Sequence, residues 1–249
     1  ALYRAYRPRR FCEVIGQDHI TTILKNQIMS GRTAHAYLFC GTRGTGKTST
    51  AKILARAVNC LAVEDGEPCL HCDACAREDG SNVDIIELDA ASNNGVDDMR
   101  SLIEKARFTP LYLKTKVYII DEAHMLSQSA FNALLKTLEE PPSHIMFILA
   151  TTEPQRIPAT IISRCQRFDF RRLKVSDMVE RMREVLSSAG AHIDEEGLLA
   201  IARAAQGGMR DALSLADQCI SFCGRDVMAA DVYDVLGSID EDFLFQMAD

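Results

Sequence analysis

"AYLFCGTRGTGKTSTAKILARAVN" (36–59) decides the fold. Its first five residues form a short apolar run that stops at a glycine-rich turn. Residues 47–60 then read as a helix with Ile53, Leu54, Ala57 and Val58 on one face. The turn between them, "GTRGTGKT" (41–48), fits G-x-x-x-x-G-K-[ST], and strand–loop–helix is the context that pattern requires. Gly41, Gly44 and Gly46 let the backbone bend until successive N–H groups point at one anion. The helix N-terminus adds partial positive charge there. Thr42, Arg43, Thr45 and Ser49 complete the candidate phosphate loop, Lys47 has the reach for β- and γ-phosphates, and the Thr48 hydroxyl suits Mg²⁺. A glycine turn that binds nothing would need neither this lysine nor this spacing.

Four further strand-like runs flank the loop: "VDIIELDA" (83–90), "KVYIIDEAH" (116–124), "HIMFILATT" (144–152) and "QRFDF" (166–170). Helical patterns at 95–108 and 127–142 alternate with them, the second stopped by two prolines. Alternation of this kind predicts an α/β domain built on a parallel sheet of five strands. From about residue 175 a 3.6-residue period dominates, through 175–189, 195–206, 209–223 and 228–236, with no strand. The expectation is a nucleotide-binding domain over 1–173, a helical domain over 174–237, and residues 238–249 as the start of a C-terminal segment cut short. Cys219 and Cys223, one turn apart, read as buried core thiols.

"VYIIDEAH" (117–124) supplies what a phosphate loop needs. A buried strand ending in Asp121 sets a carboxylate beside Mg²⁺, which prefers hard oxygen ligands. Glu122 follows, placed to orient or deprotonate an attacking water. The alternative, two acids capping the next helix, fits the four preceding apolar residues less well. No N-K-x-D stands in the chain, so ATP fits better than GTP. Thr151 and Thr152, in "ATTEP", offer hydroxyls at a strand end, and Arg164 ("ISRC") and Arg210 ("GGMRDALS") add cations. Alone, each arginine would more often be a surface ion-pair partner.

Cys60, Cys69, Cys72 and Cys75 are spaced C-x8-C-x2-C-x2-C. Four thiolates match a closed tetrahedral zinc site; an iron–sulfur cluster uses similar spacing, but nothing else in the chain suggests electron transfer. His71 is an alternative ligand that a fourth cysteine makes unnecessary. The segment to residue 82 is too polar for a core of its own, so metal ligation would supply its folding free energy.

The chain has 249 residues, 47% of them hydrophobic and 25% charged, with a net charge of −7. That balance does not announce a nucleic-acid binder, although a basic channel can sit on an acidic protein. Nine cysteines without an export signal suggest reduced thiols or a metal and a cytoplasmic setting. No apolar run reaches the ~18–20 residues a membrane span requires.

Together these motifs resemble the AAA+ ATPases. "YRPRRFCEVIGQ" (6–17), "HAYLFCGTRGTGKTS", "IDEAHMLSQSAFNALLKTLEEPP" and "ISRC" narrow the resemblance to the gamma/tau family, the motor subunits of the bacterial DNA polymerase III clamp loader. The resemblance implies that Arg7, Pro8, Val14, Ile15, Gly16 and Gln17 lie around adenine and ribose. It implies sensor 1 at Thr151 or Thr152, sensor 2 at Arg210, and an arginine finger at Arg164 acting on ATP of a neighbouring subunit. It also implies a zinc module after the phosphate-loop helix. The implied partners are delta, delta prime and further gamma/tau subunits, the sliding clamp and primer–template DNA. The full-length form would be oligomeric and this stretch alone monomeric. DNA contacts are thinly supplied: Asn93 and Asn94 stand where a basic residue would help, leaving Arg100 with Ser92 as assistant. Two other readings compete, a different DNA-directed AAA+ motor and a zinc-organised scaffold gated by nucleotide without hydrolysis.

Overall fold

A computed structural model describes residues 1–76 and 83–246, and side chains as far as Gly237. The last part of the expected zinc module (77–82) and the final residues of the expected C-terminal segment (247–249) lie outside the described residues. The chain divides into two compact units. One holds Pro8–Thr42 and Gly46–Phe170; the other holds Ala1–Arg7, Arg43–Thr45 and Arg171–Asp249.

The larger unit is built on five parallel strands, β1 (Ala36–Cys40), β2 (Ile85–Asp89), β3 (Lys116–Asp121), β4 (Ile145–Thr151) and β5 (Gln166–Asp169), in the order β2-β3-β4-β1-β5. The central strands β1, β3 and β4 are apolar almost throughout because both sheet faces are covered. Side-chain alternation sorts them into two cores. Tyr37, Phe39, Val117, Ile119, Met146 and Ile148 pack with Ile20, Leu24, Ile53 and Leu54 from the helices Asp18–Ser30 and Lys47–Asn59. Leu38, Tyr118, Ile120, Phe147 and Leu149 pack with Met99, Leu102, Phe131 and Leu134 from Val96–Ala106 and Gln128–Glu139. The last of these helices starts where the Ser127 hydroxyl accepts the Ala130 N–H and ends just ahead of Pro141 and Pro142.

The smaller unit is helical: Val175–Ser188, Glu195–Ala204, Met209–Cys223 and Ala229–Gln246. Its sequence shows no strand, yet His192–Ile193 and Asp226–Val227 form a parallel pair. Two residues are too short for a period to register. Residues 1–7, expected in the nucleotide-binding domain, group with this unit instead. The Arg181 guanidinium reaching the Tyr6 carbonyl is one tie. The last helix passes through Gly237, where a boundary was expected; one interior glycine costs about 1 kcal/mol against alanine, too little to end a helix. Cys219 is buried as expected, whereas Cys223, in the last turn of its helix, is exposed.

Candidate functional site

Parallel strands deliver their C-terminal ends to one edge of the sheet, and ligands of such sheets bind there. β1 runs into the phosphate loop, β3 ends at Asp121 and β4 at Thr151. The loop is fastened to the neighbouring strand by the Gly41 N–H, which donates to the Thr151 carbonyl. A Cβ on Gly41 would come within 2.7 Å of the Phe170 carbonyl oxygen, and Gly46 holds φ at +102°, so both positions need glycine.

Lys47 is buried at the start of its helix and its ammonium donates to the Gly41 and Thr42 carbonyls, each at 2.8 Å. Burial lowers its pKa, against the pull of the Glu122 and Asp121 carboxylates. The Thr48 hydroxyl donates to Asp121 Oδ2 at 2.7 Å. A hydroxyl and a carboxylate at that separation, beside a loop of backbone donors, form the hard-oxygen set that Mg²⁺ takes.

Glu122 occupies the left-handed region (φ 49°, ψ 44°), unusual for a residue with a Cβ. That turn aims its carboxylate back at the strand ends, where Oε2 accepts the Thr152 hydroxyl at 3.0 Å. The two threonines therefore separate by environment. Thr152 faces Glu122, while the fully buried Thr151 meets His124 Nδ1 at 3.0 Å and accepts the Glu153 N–H. His124 closes the stretch "VYIIDEAH" but its sequence position gave it no role. Its buried ring stands between two carboxylates, Nδ1 at 3.4 Å from Glu122 and Nε2 at 3.4 Å from Glu153. No spacing rule signals such a ring, because it is the strand end β4 that brings Glu153 to it.

Val14 is buried against the loop, such that a Cβ on Gly46 would sit 3.5 Å from Val14 Cγ1. Gln17 is buried, Ile15 half-buried, and Gly16 takes φ +68°. Pro8 lies in this unit, whereas Arg7 and the loop residues Arg43, Gly44 and Thr45 belong to the other. Ser49 is half-buried in the first helical turn. Arg164, just past the short helix Ala159–Ile162, is half-buried, paired with Glu139 at 2.6 Å and bonded to the Thr160 carbonyl. Arg210, in the helical unit, stacks its guanidinium 4.9 Å over the Tyr3 ring. Tyr3's hydroxyl pKa is lowered by hydrogen bonding to Arg4 and then Arg210. Arg100 is exposed and paired with Asp97, and Ser92 and Asn94 are exposed beside the half-buried Asn93.

The four cysteine sulfurs of the 60–75 segment all lie within 4.8 Å of one another. Four sulfurs 2.3 Å from one ion stand roughly 3.8 Å apart, and the Cys60–Cys72 and Cys69–Cys75 separations are both 3.9 Å. Backbone N–H groups of Leu61, Cys69 and Cys72 point at Cys72, Cys60 and Cys69 sulfurs respectively, stabilising thiolate charge. Burial raises the Cys72 thiol's pKa, but hydrogen bonds from backbone and neighbouring thiols outweigh it and bring it to about 6. The donor set fits a tetrahedral zinc ion. His71 is not among these clustered ligand atoms; its Nδ1 lies 2.8 Å from the Cys69 carbonyl oxygen.

Among proteins of known identity, a family model described as DNA polymerase III, delta subunit, matches residues 16–174. A second, described as DNA polymerase III clamp loader subunit, ATPase lid domain, matches 177–225. The chain is 54% identical over 249 residues to DNA polymerase III subunit tau of Bacillus subtilis, covering all of this chain and 44% of that protein. With subunit tau of Escherichia coli it shares 47% over 97% of this chain and 38% of the relative. With subunit gamma of Buchnera aphidicola it shares 42% over the whole chain and 69% of the relative. The chain thus spans less than half of the first two relatives. In fold it is similar to the Thermotoga maritima RuvB Holliday junction branch migration motor, with a TM-score of 0.69, 19% identity, and coverage of 93% of this chain and 72% of that one. The architecture is the AAA+ fold, a five-stranded parallel α/β domain with a helical lid domain C-terminal to it in the chain. No helix among the described residues is long and apolar enough to cross a membrane.

Proposed function

The chain belongs to the DNA polymerase III gamma/tau family, and from that premise we propose that it is an ATP-hydrolysing motor subunit of a clamp loader. One observation carries the reading: the phosphate loop's Thr48, the strand-end Asp121 and the carboxylate of Glu122 gather at one end of the sheet. In this proposal Gly41, Thr42, Arg43, Gly44, Thr45, Gly46 and Ser49 cradle the phosphates, and Lys47 leaves its two carbonyl partners to meet them. Val14, Ile15, Gly16 and Gln17, with Arg7 and Pro8, flank adenine and ribose. Thr48 and Asp121 hold Mg²⁺, which when bound neutralises charge on the phosphate oxygens.

Glu122 accepts a proton as the water oxygen bonds to the γ-phosphorus and the bond to ADP breaks. Thr152, already bonded to the Glu122 carboxylate, orients it. This contact favours Thr152 over Thr151 as the sensor hydroxyl. Arg210 acts on the nucleotide of its own chain. Arg164 leaves Glu139 to serve ATP bound to a neighbouring subunit, so hydrolysis waits on assembly. Cys60, Cys69, Cys72 and Cys75 hold zinc. The partners are delta, delta prime and further gamma/tau subunits, the sliding clamp and primed DNA, in the cytoplasm. ATP binding favours an arrangement that holds the clamp open, and hydrolysis removes that preference and releases the clamp on DNA.

Steady-state ATP hydrolysis by the full-length protein with its partner subunits tests this, with and without sliding clamp and primed DNA. The expectation is strong stimulation only when both are present. Arg164→Ala should lose roughly 10³-fold or more of it, with ATP affinity unchanged. Turnover indifferent to clamp and DNA would point to a different DNA-directed motor. No turnover at all would leave a nucleotide-gated scaffold.

A further inference from the structure

The cysteine module does more than fold around its sulfurs: its turn at 64–67 reaches back onto the main domain. The Glu64 and Glu67 backbones exchange hydrogen bonds at 3.2 and 2.8 Å across Asp65 (φ 49°) and Gly66 (φ 74°). Two left-handed residues in succession make this a tight turn of fixed shape. Gly66 presses on the helix Asp18–Ser30, where a Cβ would lie 2.7 Å from Lys25 Cβ and 2.8 Å from its carbonyl oxygen. Lys25 Nζ closes the contact from the other side, at 2.8 Å from Asp65 and 3.6 Å from Glu67.

The turn thereby aims one carboxylate. Glu67 is 12% exposed; its Oε2 accepts the Phe11 N–H at 2.7 Å and its Oε1 the Cys12 N–H at 3.0 Å. Both donors open the short 3₁₀ helix Phe11–Glu13, which runs directly into Val14 beside the phosphate loop. On its other side Glu67 is two residues from Cys69, one of the four sulfur donors. A carboxylate gripping two successive N–H groups fixes direction as well as distance, since both oxygens must be met at once.

We propose that Glu67 is a positioning residue for the 14–17 segment and that the cysteine cluster sets nucleotide affinity through it. The inference rests on the proposed reading that 14–17 lie against adenine and ribose. With the cluster closed, the root of the turn is fixed and Glu67 holds residues 11–12. With the cluster open, the carboxylate loses its fixed bearing and the segment loses its hold.

The test titrates ATP·Mg²⁺ by calorimetry into the complete chain and measures zinc content beside it. Glu67→Gln keeps the shape but turns one oxygen into a donor facing an N–H. Its expected effect is a Kd about tenfold higher, equal to about 1.4 kcal/mol, with zinc content unchanged. Cys72→Ser, or chelation of the folded wild type, should remove zinc and raise Kd to a similar extent. The two changes combined should cost no more than either alone, because they act on one contact. An unchanged Kd in Glu67→Gln overturns the proposal, and so does simple additivity to about a hundredfold. If Glu67→Gln does not fold, Glu67→Asp, one methylene shorter, is judged by the same two criteria. Failure of the wild type to bind ATP would instead refute the nucleotide reading beneath it.

Discussion

Glu122 should be a site where glycine stabilises the protein more than alanine does, the reverse of the usual order. Its backbone sits at φ 49° and ψ 44°, a conformation that costs a residue with a Cβ roughly 1–2 kcal/mol. Truncation to alanine or to glycine removes the same carboxylate, with its bond from Thr152 and its approach to His124, so those losses cancel in the comparison. What remains is the strain, which alanine keeps and glycine releases. Against that stands the extra freedom of unfolded glycine, roughly 0.5–1 kcal/mol. At the midpoints of those ranges the difference leaves Glu122→Gly more stable than Glu122→Ala by about 0.75 kcal/mol, or roughly 1.5–3 °C in melting temperature for a chain of this size. Urea denaturation of both variants, without nucleotide, reads the difference directly. Both should lose roughly 10²–10⁴-fold in turnover, the range for removing a general base. Alanine equal to or above glycine in stability would show that the left-handed turn stores no strain. Turnover surviving in either variant would remove Glu122 from the chemistry.

Tyr118→Phe should stabilise the larger unit at neutral pH by about 1–2 kcal/mol, because the buried Tyr118 hydroxyl has no hydrogen-bond partner among the described residues; denaturant midpoints check it. Burial, and then the nearby Asp84 charge, push that phenol from 10 to about 12. The folded state thus keeps a proton that the unfolded state loses earlier, a contribution intact below pH 10 and lost as pH rises towards 12; the phenylalanine variant should lack this alkaline loss. His124→Ala should slow single-turnover hydrolysis about tenfold while ATP affinity holds, since the ring meets Thr151 and Glu122 but no phosphate-loop residue. His124→Asn, whose amide reaches the Nδ1 position, should recover most of that rate; equal loss of rate in both variants would mean the ring only fills space.

What the sequence revealed depended on whether a function needs residues close along the chain. A phosphate loop needs glycines, a lysine and a hydroxyl within eight residues, so 41–48 stood out as a candidate by its spacing. The three central strands were equally plain, because a sheet covered on both faces demands runs such as "KVYII" and "IMFILA", which no exposed loop would carry. The cysteine spacing announced a tetrahedral site for the same local reason. Contacts that join distant segments had no such imprint. Glu67 meets Phe11 across 56 residues and His124 meets Thr151 across 27, and in neither case does anything beside the acid or the imidazole mark it as different from a surface charge. The two threonines show the limit most sharply: adjacent, chemically identical and equally eligible in sequence, they are told apart because strand alternation turns Thr151 into the core towards His124 and leaves Thr152 for Glu122. Candidates for a chemical step can thus be read from spacing, whereas the contacts proposed to aim them are found only once the strand ends are brought together. On the proposed reading, substitutions at Glu67 and His124, to which the sequence motifs gave no role, should disturb the site's geometry while leaving its chemistry in place.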